Sequence, residues 1–220
     1  MSKKQILACI TLSLLVSGYG AAQLLRDNRI VQNGQSLHMK EQRSNSGPRQ
    51  YDPLSLVSAK PGTIVFEGGY QTDPRDGGRP VALIAAALGV TANVFREAFS
   101  GVTPARGGHP SSAQVHANKR ILLDALGKYG VTNDRLDEVS DYYRYRPESG
   151  GLWRHKPAHA IAVLKNDHVT SIQIIDSGAG YMTPPHVRVA GYPDLKIDVQ
   201  LAFGTDLKTN GRIISMKLIE

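Results

Sequence analysis

The sequence predicts an α+β chain in which a small helical module of two helix–turn–helix hairpins precedes a duplicated antiparallel β-hairpin module. Three observations carry that prediction. The segment GVTANVFRE from Gly89 is echoed by GVTNDRLDE from Gly130, each copy following an apolar run of helical character. HVTSIQIID (168–176) aligns without gaps to RIISMKLIE (212–220), so that Ile172 and Ile174 match Met216 and Leu218. Between the two regions the apolar period changes from that of a helix to the strict alternation of half-buried strands.

The chain opens with MSKK and then runs ILACITLSLLVSGYGAA to Ala22. A short positive start, an apolar run and small residues at its end predict a secretory signal peptide over 1–22. Gly20 and Ala22 would sit at −3 and −1 of a cut before Gln23; a retained anchor is the alternative reading. Elsewhere no run approaches membrane-spanning length. The only cysteine is Cys9, so a chain starting at Gln23 would have no disulfide, thiolate nucleophile or cysteine-based zinc site. Residues 23–62 are polar and turn-forming, too poor in apolar side chains to offset their ordering entropy, and read as a flexible stalk. TIVFEGG, from Thr63, reads as a short strand at the edge of the folded part.

The helical module spans 63–147. PVALIAAAL and NKRILLDAL precede the two echoes; Gly89, and Gly127 with Gly130, end those helices, while Thr91 and Thr132 cap the next ones. Hairpins over roughly 80–101 and 112–143 follow, joined by the loop TPARGGHPSS. An antiparallel four-helix packing is the simplest way for both to bury their apolar faces.

A junction, 148–157, leads to the β module, 158–220. AIAVL (160–164) aligns with VQLAF (199–203) as the first strand of each copy. Lys165–Asp167 closes the first hairpin and Gly204–Gly211, ending in Asn-Gly, closes the second. The connecting stretch SGAGYMTPPHV (177–187) supplies glycines for positive φ, a tyrosine to pack over the hairpin and prolines for an extended exit. Joining one repeat to the next accounts for it without a ligand.

Ile172-x-Ile174 followed by SGAGYMTPPHVRV resembles the "GsGYtxxPxVxI" repeat module of bacterial surface proteins and phage fibres. Gly178, Gly180, Tyr181, Pro185, Val187 and Val189 carry the match. The resemblance implies a β-structural unit and no catalytic residues. TDPRDGGRPVALIAAALGV, FREAFSGVTPA and YGVTNDRLDEVSDYYRYRP also resemble stretches of uncharacterised exported bacterial proteins that join a helical part to such a β module. That resemblance implies a family without an activity.

Formal net charge is +7, and removing Lys3 and Lys4 leaves +5. The excess is dispersed, with +3 over residues 23–62, +2 over 63–157 and none beyond. This argues against a nucleic-acid surface, which concentrates charge on one face. VALIAAALGVTANVFREAF has the glycine corner of a DNA-binding helix–turn–helix, yet only Asn93 and Arg96 could read base edges, and Glu97 lies beside them. His155 and His159 are spaced i, i+4, but Pro157 breaks the helix a zinc pair would need. Asp134, Asp137, Glu138 and Asp141 lack the oxygen pattern of a calcium loop, and the first two suit a helix N-terminus. No metal, no cofactor and no catalytic set is predicted.

One patch remains, DYYRYRPESGGLWRHKP (141–157), in which Tyr142, Tyr143, Tyr145 and Trp153 interleave with Arg144, Arg146, Arg154 and Lys156. Aromatic faces beside cations can stack on sugars and pair with anions. The competing reading is a packed interface with arginines snorkelling outward. The expectation is an exported, non-enzymatic binding or structural protein of the periplasm, cell surface or exterior. Its partner would be an anionic polysaccharide or another envelope protein, with Tyr143 and Trp153 stacking and Arg144 and Arg154 pairing. The alternatives are a hydrolase of envelope polymers, whose carboxylates the spacing does not pair, and a self-assembling component using RIISMKLIE as an open β edge.

Overall fold

A computed structural model describes residues 59–103, 111–144 and 151–219. The expected signal peptide, most of the expected stalk, most of the connector between the helical hairpins, and Tyr145, Arg146 and Glu148 lie outside them. The described residues form an α+β fold of four helices and six antiparallel strands.

Strand β1 (Ile64–Glu67) comes first, followed by a single 3-10 turn, Pro74–Asp76. Asp73 caps that turn by accepting from the Arg75 amide at 2.9 Å. Asp76, one of two buried polar residues among those described, accepts from Arg96 Nε at 2.7 Å and from its Nη2 at 2.9 Å, which fastens the turn to the helices. Helices α1 (Val81–Ala87) and α2 (Ala92–Ser100) meet at 101° across the Gly89 corner, where φ is +72°. Thr91 caps α2 by accepting from the Val94 amide.

Helix α3 (Ser112–Leu126) is capped by Ser111, and α4 (Asn133–Tyr142) by Thr132, which accepts from the Arg135 amide at 3.2 Å. The sequence echo is therefore a structural one, with equivalent threonines doing equivalent work. Leu83, Phe95, Leu122, Leu126, Leu136 and Val139 form the helical core, into which Trp153 and Leu207 also pack from beyond the helices. No single helix among the described residues is long and apolar enough to cross a membrane.

The β module follows as β2 (His159–Lys165), β3 (His168–Asp176), β4 (His186–Val189), β5 (Lys196–Ala202) and β6 (Arg212–Ile219). Three two-stranded ribbons form, β1–β4, β2–β3 and β5–β6. Asn166 and Asp167, both at positive φ, close the first hairpin in a tight two-residue turn. Each hairpin bulges at the same place in the repeat. Thr170 is passed over between the Val163–Ser171 and Leu164–Val169 pairs, as Ile214 is between Gln200–Ser215 and Leu201–Ile213.

That register corrects the alignment of the first strands. Ala160 pairs with Ile174 as Ile197 pairs with Leu218, so AIAVL corresponds to Ile197–Leu201 rather than to 199–203. A slip of two residues leaves the in–out alternation unchanged, so pattern alone could not detect it.

Spatially the strands follow one another as β1, β4, β5, β6, β3 and β2, and β2 returns to β1. The ribbons thus close a ring around Tyr181, Val187, Val199, Ile213 and Met216, with Phe66, Ile172 and Ile174 packed against them. β1 pairs with β4 of the β module. β6 is hydrogen-bonded along its length to β5 alone, with β3 packed near its other side.

Candidate functional site

The stretch 177–187 occupies the heart of the β module. Tyr181 is 1% exposed, and its hydroxyl accepts from the Ala158 amide at 2.9 Å. Its ring stacks on Tyr70, with centroids 5.3 Å apart. Gly178 and Gly180 have φ of +61° and +83°. A Cβ at Gly178 would lie 2.6 Å from the Lys156 carbonyl oxygen, and one at Gly180 would lie 2.8 Å from His155 Cβ. Both therefore have to be glycine, so that the segment can run against the junction residues 154–156. Lys156 and Ala179 exchange two backbone hydrogen bonds there, each 2.9 Å.

Because the junction is laid down in this way, the four expected ligand-binding residues separate. Tyr143 is 0% exposed and Trp153 is 2% exposed. The Tyr143 hydroxyl accepts from Asn210 Nδ2 at 2.9 Å, and Trp153 Nε1 donates to the Gly180 carbonyl at 2.9 Å. Neither ring offers a face to a sugar; the area gained by burying a large aromatic has been taken up by the core. Arg144, half-buried, pairs with Asp141. Only Arg154 is well exposed, with its guanidinium 4.7 Å above the Tyr142 ring centroid.

Arg154 opens onto a cleft of about 400 Å³ lined by Tyr142, Arg154, His155, Lys156, Ala179 and Lys208. Three segments build it: the C-terminal end of α4, the junction residues 154–156 backed by the glycine stretch, and the loop between β5 and β6. Lys156 is bonded to Asp176, and together with the Gly178 amide it holds that carboxyl below its ordinary range. Asp206, near Lys208, is also lowered, by hydrogen bonds from the Lys208 amide and then the Thr209 hydroxyl. The His155 ring is placed by its Nδ1, 2.9 Å from the Trp153 carbonyl, and by Tyr70 at 4.7 Å. Since a carbonyl can only accept, Nδ1 carries a proton.

Within the segment 141–157 the ring at the site is thus Tyr142 rather than its neighbour Tyr143, and Lys208 comes from outside the segment altogether. The signal for Lys208 was the length of its loop: the second hairpin spends many residues where the first spends two, and long loops on a rigid scaffold carry function.

The other constellations resolve into structure. Arg96, one of two side chains able to read a base, is held by Asp76. Lys119 takes Asp137 at 2.7 Å, and Arg135 takes Glu138 at 2.6 Å. Among the described residues no group of three or more His, Cys, Asp or Glu side chains could hold a metal ion.

Comparison of the chain with protein-family models, with curated proteins and with solved structures gave no match.

Proposed function

We propose that the protein is an exported, non-enzymatic binding component of the cell envelope or surface, whose cleft at the α/β junction takes an anionic glycan or surface polymer. The observation that carries this reading is the cleft lining, where Arg154, Lys156 and Lys208 share one space of about 400 Å³ with the Tyr142 ring, over which Arg154 lies. The cleft is partly open to solvent, so a polymer held there can extend beyond it. The described lining supplies no carboxylate to act as acid or base, which favours binding over the hydrolase alternative. Export rests on the apolar N-terminal segment and is checked by the N-terminal sequence of the protein recovered from cell fractions, with Gln23 expected first.

Binding is tested by retention of the protein on immobilised envelope polysaccharides at low and high salt, with nucleic acid as control. Retention should weaken with salt and fall at least tenfold when Arg154 and Lys208 are both changed to alanine, with unchanged circular dichroism. Passage of the wild-type chain through every anionic polymer at low salt would sink the proposal.

A further inference from the structure

Taking the cleft as an anion site, its geometry points to a tetrahedral, multiply charged oxyanion, a phosphate or sulfate group, as the moiety held between Arg154, Lys156 and Lys208. A uronic acid carboxylate presents two oxygens in one plane and one charge, and a single guanidinium fork satisfies it. The cleft instead gathers three cationic side chains from two separate segments. Arg154 and Lys156 are two residues apart in the junction, and Lys208 comes from the loop between β5 and β6.

The three cations are suited to different tasks. Arg154 has one face of its guanidinium over Tyr142, which leaves its N–H edge as the directional element. The two ammonium groups are point charges with no preferred plane and suit the remaining oxygens of a pyramidal group. Asp176 fixes Lys156 and offsets one positive charge. Asp206 accepts from the amide and hydroxyl of its own loop, and its carboxylate also feels the charge of Lys208. With both carboxylates counted the three cations still leave the cleft positive, and a group with several charged oxygens can engage more of them than one carboxylate can. Ala179 adds only a methyl group, because both its backbone groups are bonded to Lys156.

The test is calorimetric titration of the full chain at constant ionic strength with sulfate, methyl phosphate, acetate and glucuronate. Sulfate and methyl phosphate are expected to bind at least tenfold tighter than either carboxylate. Lys208→Ala should remove most of that preference and Lys208→Arg should keep it. Equal affinity for the carboxylates, or an unchanged preference in Lys208→Ala, would overturn the assignment. Retention on uronic acid polymers with no preference for the tetrahedral ions would overturn it while leaving the anionic-polymer reading standing; failure of every ion and every polymer would remove both. A polyphosphate that binds more tightly per phosphate than methyl phosphate identifies a polymer as the source of the group, and the reverse order identifies a small ester.

Discussion

Asn210 does more than turn a hairpin. Its side chain is 1% exposed, and Nδ2 donates to the Leu83 carbonyl at 2.8 Å and to the Tyr143 hydroxyl at 2.9 Å, while Oδ1 accepts from the Gly204 amide at 3.1 Å. One amide thus satisfies groups from α1, from the end of α4 and from its own loop. Asn210→Asp keeps the shape and removes the donor, setting a carboxylate against a buried carbonyl. The expected loss is about 3 kcal/mol, measured by urea denaturation at neutral pH. The tyrosines set a second residue-level expectation. Burial raises the phenols of Tyr70, Tyr143 and Tyr181 above their ordinary range. With the folded value raised, the unfolded chain ionises first, so this stability is fully present below about pH 10 and is lost as pH climbs further. Denaturation midpoints should hold between pH 7 and 9 and fall above 10, less steeply in Tyr70→Phe.

At the scale of the element, the turns and caps were readable because they depend on local chemistry. Thr91, Thr132, Gly89 and Gly130 stand where helix-end chemistry puts them, and Asn166–Asp167 makes the short turn. What the sequence could not settle depends on distance along the chain. β1 finds its partner in β4, some 120 residues on, and short range gives no sign of it. Tyr142 and Tyr143 are adjacent with the same local pattern, and only the packing of α4 decides which ring faces the core. Two glycines show the same contrast energetically. Gly127 has a helical φ of −59° and open space around it, so Gly127→Ala should stabilise by about 0.5–1 kcal/mol. Gly180→Ala meets both a positive φ and the backbone of His155, and should cost about 2–3 kcal/mol. Thermal midpoints of the two variants should move in opposite directions.

The whole molecule is held together across the boundary between its parts. Arg135 on α4 donates to the Ala87 carbonyl of α1 and to the Thr205 carbonyl of the loop between β5 and β6. Trp153 packs into the helical core while donating to Gly180 of the β module. Neither module can open without breaking these ties, so unfolding should be a single transition. Fluorescence of Trp153, the only tryptophan, and far-UV circular dichroism should give coincident urea curves; separated midpoints would mean that the modules swing independently.

The ring has a consequence for how such a chain is assembled from parts. β1 and β2 are neighbours in space, yet the four helices lie between them in sequence. The helical module leaves the ring and rejoins it at nearly the same place, which is the geometry of an insertion. Of the cleft lining, Ala179 and Lys208 belong to the ring, while Tyr142 and the stretch from Arg154 to Lys156 belong to the inserted part. The cleft forms where the chain returns from the helices, so part of its lining is ring and part is brought by the inserted segment.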